Sequence, residues 1–389
     1  MLYILKILLV HNKYGKPSGE EESIKNLSDL LKKNGHSVTE FFRSSSEISD
    51  MPFGKIRAFF SGIYSHAAQK RMGEYLHEVK PDIVHIHNLF PLISPSILSE
   101  CKRRKIPVVM SVHNYRLMCP NGLYMSNGSI CEKCNGGKEY WCIFRNCERE
   151  FFKSLGYAIR NYWARKRGMF RYNVTRYICL TNFQANKLTA EGFPPDRIEI
   201  IPHMTLIKGD IKEISGDYVD YVGRVSPEKG IATLIKAAKN CTDVQFRVSG
   251  ANDRFPDFEK EASSNVKFLG ILSKERIASL FNTSRMLVFP SIWYEGFPMV
   301  LVEAMMMGLP VISSRIGGLA EIVDDNVTGL LFEPGNDNEM AEKIRYLWER
   351  PDLCLAMGRA GREKALREYS SEKYYESLIA VYKKAISGN

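Results

Sequence analysis

No Asp-x-Asp occurs anywhere in the 389 residues, so the chain lacks the short diacidic clamp that commonly holds a divalent cation. No apolar run approaches the length of about 20 residues needed to cross a bilayer, which excludes a transmembrane helix. The opening apolar stretch 2–10 is interrupted by Lys6, and no small-residue cleavage site follows. It reads as a first buried strand rather than a signal peptide. Nine cysteines, an odd number in a long chain, do not make a secreted disulfide framework. A cytoplasmic location is expected. Internal repeats and low-complexity tracts are missing as well.

What is present is ordinary in bulk and uneven in charge. A hydrophobic content of 44% and a charged content of 25% belong to a globular chain with a sizeable core. The length favours two domains. Residues 1–200 hold 30 Lys and Arg against 18 Asp and Glu, a surplus of +12, whereas the remainder is −2. A basic half suits a polyanion, an anionic membrane surface or a phosphate-bearing partner. A solvated lysine-rich face is the plainer alternative.

Short Val- and Ile-rich runs alternate with amphipathic stretches, the pattern of β-α units around parallel sheets. Strands are expected at 6–10, 37–41, 82–87, 107–112 and 176–180, with helices over 20–33 and 70–79. A second series of strands falls at 218–222, 245–249, 266–269, 286–289, 310–313 and 329–332. The expected organisation is an α/β protein of two doubly wound, Rossmann-like domains facing a cleft. The first covers 1–205 with a Cys-rich insertion about 116–150, the second 206–370, and a terminal helix over 371–389 packs back toward the first. The boundary is expected near 203–215, where Gly209 and Gly216 punctuate a polar segment. In such sheets ligands lie outside the carboxyl ends of the strands.

The loop after 218–222 reads Gly223-Arg224-Val-Ser-Pro-Glu228-Lys229-Gly230 and leads into a helix. Two cations around a helix amino terminus suit a diphosphate. Surface cations on a βα loop would read the same way. The loop after 286–289 carries Glu295-Gly296-Phe297-Pro298-Met299, then a helix over 300–307 with Glu303 in its first turns and Gly308 at its end. Carboxylates accept hydrogen bonds from vicinal hydroxyls, so one could hold a sugar and the other a ribose. Two close glutamates also fit the acid/base pair of a hydrolase, and Glu303 alone fits an acidic residue near a helix start.

The ordered blocks Gly223-Arg224 to Gly230, Glu295 to Pro310, Gly317-Gly318 to Val323, and Thr328 to Leu331 resemble the retaining glycosyltransferases of family 4. That resemblance implies the GT-B fold and a nucleoside-diphosphate sugar as donor, bound by the second domain. By likeness, Arg224 and Lys229 neutralise the donor diphosphate, Glu295 contacts hydroxyls of the transferred sugar, and Glu303 holds the ribose. Amides of Gly296, Phe297 and Met299 lie nearby, Pro298 offering none, and Gly250 and Gly270 let backbone approach the nucleotide. With no Asp-x-Asp, the two cations must supply the positive charge, and no catalytic cofactor or metal is expected. In the first domain the turn Ser18-Gly19-Glu20 matches the end of the family's Gly-rich loop. His113, at the end of strand 107–112, matches its catalytic histidine. His85 and His87 are expected to be structural, with His87-Asn88 also at a strand end.

Cys119, Cys131, Cys134, Cys142 and Cys147 crowd the insertion, and Cys131-x-x-Cys134 is a zinc spacing. A structural zinc held by four of the five and a set of free thiols both stay open. The segment 151–172 interleaves aromatic and basic residues, as a helix lying on an anionic membrane would, or a buried helix with a solvated basic face. Expected partners are therefore the nucleotide sugar, a glycan or lipid-linked acceptor of cell-surface polysaccharide synthesis, and an anionic membrane surface at which the protein is peripheral. Nucleic acid is not expected, because the ordered motifs lie in the acidic half. A nucleic-acid-binding protein with a zinc module, and an epimerase or phosphorylase of the same fold, are the competing readings.

Overall fold

The computed structural model describes residues 4–15, 19–207 and 216–388. They group into two compact units. The first comprises the chain to Ser126, Cys131–Pro202 and the stretch from Tyr374 onward; the second comprises Asn127–Ile130 and His203–Lys373. The expected boundary at 203–215 lies partly outside the described residues, as do Gly209 and the Lys16-Pro17-Ser18 part of the glycine turn.

In the first unit, β1 (Lys6–Lys13), β2 (Ser37–Ser44), β3 (Ile83–Ile86), β4 (Val108–Val112), β7 (Arg176–Cys179) and β8 (Ile198–Ile200) form one sheet in the order β2-β1-β3-β4-β7-β8. Every pairing in it is parallel. Between β4 and β7 comes a small hairpin, β5 (Met125–Ser126) with β6 (Ser129–Ile130). The inner strands β3 and β4 are buried at every position, as parallel strands covered on both faces must be. The last strand, β8, is three partly exposed residues and carries no apolar run that the sequence would reveal.

The second unit holds β9 (Tyr218–Val222), β10 (Gln245–Ser249), β11 (Val266–Gly270), β12 (Ser284–Phe289), β13 (Val311–Ser314) and β14 (Gly329–Phe332). Their order is β11-β10-β9-β12-β13-β14, so the winding reverses between β9 and β12. A crevice opens at such a reversal, and the two motif-bearing loops leave the sheet there.

Helices start where the side chains can cap them. Ser65, Thr181, Ser273 and Asn336 each accept a hydrogen bond from an amide in the first turn of the helix that follows. The single helix expected over 151–172 is two, Phe151–Lys166 and Met169–Asn173, separated at Gly168 with φ 59°. The final helix, Ser371–Ser387, serves the first unit from Tyr374 onward. Its Tyr382 is fully buried, with the hydroxyl 2.7 Å from His85 Nδ1.

Candidate active site

Beyond β9 the chain makes one 3-10 turn, Pro227–Lys229, and starts the helix Ile231–Lys239 at Gly230. Gly230 has φ 72°, and a Cβ there would overlap the Pro290 carbonyl oxygen. Only glycine lets the two loops close on each other. The Ile292 amide then donates to the Glu228 carbonyl at 3.0 Å. That closure brings Lys229 Nζ to 2.7 and 2.9 Å from the two carboxylate oxygens of Glu295. Ser291 Oγ at 2.6 Å and Trp293 Nε1 at 2.7 Å donate to the same carboxylate. The Lys229 ammonium also lies 5.3 Å from the centre of the Trp293 ring, a cation–π distance.

The other two members are set differently. Arg224 is 63% exposed and lies 3.2 Å from Glu228, four residues further along the same loop. Glu303 is partly buried on the helix Met299–Met306, where burial raises its pKa and Lys274 opposes the rise. Pro298 is the N-cap of that helix and makes no side-chain cap bond, its carbonyl accepting from the Leu301 amide at 3.2 Å.

Gly250 and Gly270 close the far side of the crevice. The Gly250 amide donates to the Gly270 carbonyl at 2.8 Å, and the Gly223 amide to the Ser249 carbonyl at 2.9 Å. A Cβ on Gly250 would overlap the Gly223 carbonyl oxygen. Gly250 therefore supplies close approach between strand ends, while its amide serves the sheet.

In the first unit His113 follows β4, with Nε2 2.8 Å from His87 Nδ1 and the two rings stacked at 5.1 Å. The His85 ring lies 4.4 Å from that of His87, and its two nitrogens meet Tyr382 Oη at 2.7 Å and Ser111 Oγ at 2.8 Å. Burial lowers the pKa of His113 to about 4 and that of His85 to about 3. His85 is thus fully buried with both ring nitrogens partnered, and the His87 ring lies against it and meets His113.

The sequence reading missed a second polar group in this unit. His11, buried on β1 and lowered by burial to about 4, lies 3.8 Å from Glu20, at the start of the helix Gly19–Lys33. Tyr14 Oη donates to Glu20 at 2.7 Å, and the Arg116 guanidinium lies 5.4 Å from the Tyr14 ring centre. Burial raises the pKa of Glu20, against the pull of His11. A histidine and a glutamate flanking one glycine turn were the available signal.

The five clustered cysteines are not drawn into a ligand set: among the described residues, no group of three or more His, Cys, Asp or Glu is placed to hold a metal ion. The thiols have protein partners instead. Cys119 meets Asn121 at 3.0 Å, Cys131 meets Arg145 at 3.6 Å, and Cys147 meets Ser126 at 3.7 Å. Cys134 and Cys142 pack with Ala158 in a small apolar cluster.

Two Rossmann-like parallel-sheet units, the second with cations and carboxylates gathered at its reversal point, make up the GT-B architecture. The family model for glycosyl transferases group 1 matches residues 212–364, and that for glycosyltransferase family 4 matches residues 17–205. The chain belongs to this family of glycosyltransferases.

Among its relatives is an uncharacterized glycosyltransferase of Methanocaldococcus jannaschii, 35% identical over 56% of this chain and 62% of that one. The alpha-D-kanosaminyltransferase of Streptomyces kanamyceticus is 30% identical over 42% of this chain and 44% of its own length. The match thus spans about half the length of these two relatives. An uncharacterized protein in the cps region of Klebsiella pneumoniae is 24% identical over 82% of this chain and 87% of its own. Anabaena HepE, solved with UDP and glucose, shares the fold over 98% of this chain and all of its own, with a TM-score of 0.68 and 19% identity.

Proposed function

We propose that the chain transfers a sugar from a nucleoside-diphosphate donor to a hydroxyl of a glycan or lipid-linked acceptor, with retention of anomeric configuration and without a divalent cation. The observation that carries this reading is the Lys229–Glu295 pair at the reversal between β9 and β12. In the reading, an arriving diphosphate competes with Glu295 for Lys229, and the carboxylate so released accepts hydrogen bonds from sugar hydroxyls. Exposed Arg224 adds the second positive charge, Glu303 the ribose contact, and the first-turn amides after Pro298 the remaining donors.

His113, neutral at working pH, acts as a hydrogen-bonding group toward the transferring sugar rather than as a charge. Retention then needs no enzymic nucleophile: leaving phosphate and acceptor hydroxyl share one face of an oxocarbenium-like centre. A place in cell-surface polysaccharide synthesis suits such a reaction.

The test is a thermal-shift screen of nucleoside diphosphates and their sugars, beginning with UDP, the nucleotide held by HepE, followed by transfer assays and proton NMR of the anomeric centre of the product. A raised melting temperature with one nucleoside diphosphate and a retained anomer are expected. Stabilisation by none of them, or an inverted product, would overturn the reading. Activity is expected to be unchanged in excess chelator, and loss restored by magnesium would refute the metal-independent form.

A further inference from the structure

The helix Phe151–Lys166 is packed the wrong way round for a core helix. It buries Ser154, Gly156, Ala158, Arg160, Asn161 and Ala164, and leaves its bulkiest apolar side chains outside. Phe152 is 72% exposed, and Ile159 and Tyr162 follow it on the solvent side with Leu155 half-buried between. Spacings of three, four and three residues put these four on one face. Burying large apolar groups is the dominant favourable term in folding, so leaving such a stripe in water has to be explained by something that covers it.

The neighbouring helix, Gly54–Ile63, does the same. Phe59 packs inward, its ring so close to Gly156 that any side chain there would collide at 2.7 Å, which fixes the two helices side by side. Phe53, Ile56 and Phe60, again three and four residues apart, stay exposed, Phe60 by 63%. Phe144, on the short helix Tyr140–Phe144, adds another exposed ring.

The charge around these stripes is of one dominant sign. Residues 139–172 hold eight Lys and Arg against three Glu, and Arg57 lies on the helix Gly54–Ile63. Lys153 is engaged by Glu148 and Arg165 by Glu139, and Arg160 is buried, so Lys166 and Arg167 continue the exposed basic run at the helix end. Past those ends lies an open groove of about 480 Å³ lined by Tyr64, His66, Trp163 and Arg167. Tyr and Trp at such a boundary suit the headgroup level of a bilayer. Among the described residues, no helix is long and apolar enough to cross a membrane.

We infer that these two helices form a docking face for an anionic phospholipid surface, with Phe53, Phe60, Phe152 and Ile159 entering the acyl boundary and Arg57, Lys166 and Arg167 meeting the headgroups. Apolar stripes with flanking cations bind in the plane of the interface, and both components are needed for firm attachment. The inference goes beyond the transfer reaction and is independent of which donor is used, since docking needs no substrate.

The test is flotation of the full chain with vesicles of phosphatidylcholine and phosphatidylglycerol, and with phosphatidylcholine alone, at low and high salt. Binding to the anionic vesicles, weakened by salt, is expected. The double substitution Phe60→Ser with Phe152→Ser should lower the partition coefficient about tenfold or more, with the circular dichroism and melting curve of the parent, because both rings are already exposed. Arg57→Glu with Lys166→Glu should remove the anionic preference. Absence of binding to anionic vesicles, or binding that both double variants retain, overturns the inference. So does a concentration-dependent dimer that Phe152→Ser dissociates, which would assign the face to a second copy of the chain.

Discussion

Lys229 and Arg224 carry the same charge toward the same proposed ligand, but their surroundings make them fail differently. Lys229 is largely buried with Glu295 as partner, so Lys229→Ala leaves a buried carboxylate without its cation, though Ser291 and Trp293 still donate to it. Breaking such a pair costs about 3 kcal/mol. Removing a preorganised positive group from the reaction centre costs about 10²- to 10³-fold in turnover. Arg224→Ala is expected to lower turnover with stability unchanged, because the side chain is exposed. Denaturant titrations beside kinetics separate the two, and equal stability losses would contradict the assignment. The histidines give a pH signature. His11, His85 and His113 all have folded pKa values below the ordinary 6.5, with burial the leading cause. The unfolded chain takes up these protons first, so their contribution to stability is complete above about 6.5 and is lost as pH falls toward about 4. His36 is lowered by burial in the same way, while Glu20, Glu191 and Glu303, raised by burial, work in the opposite direction and offset part of the loss. The melting temperature should therefore fall between about pH 7 and pH 5. A constant value would show that these rings are not buried neutral.

At the scale of elements the site depends on two loops meeting, and Gly230 is where they meet. Gly230→Ala forces a non-glycine residue into the left-handed region against the Pro290 carbonyl, at a cost of about 2 kcal/mol or more. It should weaken nucleotide binding by forcing the Lys229 and Glu295 loops apart, so that the two no longer meet one donor together. Calorimetric titration with the best nucleoside diphosphate checks this, and unaltered affinity would count against the loop closure. The motif glycines, Arg224, Lys229, Glu295 and Glu303 were legible in the sequence because they follow strands whose Val- and Ile-rich runs mark buried parallel sheet. The strands of the two large sheets could be read to within a few residues for the same reason, apart from β8, whereas the two-residue strands β5 and β6 carry no such run. The Lys229–Glu295 bond was not legible, since it joins loops 66 residues apart through a close approach that only the sheet order creates. Nor was the His85–His87–His113 series. Alternation along β3 and adjacency of β3 to β4 bring these rings together, and a single strand's sequence does not report its neighbour.

For the whole molecule, the chain's last helix belongs with its first sheet. From Tyr374 onward it groups with the first unit, and its side chains reach residues far back in the sequence: Tyr382 to His85 at 2.7 Å, Tyr375 to His36 at 2.9 Å and Lys384 to Glu199 at 2.8 Å. The Tyr382 bond joins two fully buried polar groups, so Tyr382→Phe leaves one His85 nitrogen without its partner and should cost about 1–3 kcal/mol. Deleting everything after Lys373 is a larger change of the same kind, since it exposes the core that Leu378, Val381 and Tyr382 cover. A fragment holding residues 203–373 keeps all six strands β9–β14 and should fold and bind nucleotide without that helix. The two outcomes can be read in one calorimetric comparison. In the truncated chain the transition assigned to the first unit should move to lower temperature or vanish, while the transition that responds to added nucleoside diphosphate stays where it was. If truncation instead lowers the nucleotide-responsive transition, the final helix supports the second unit, and the division of the chain drawn from its contacts is wrong.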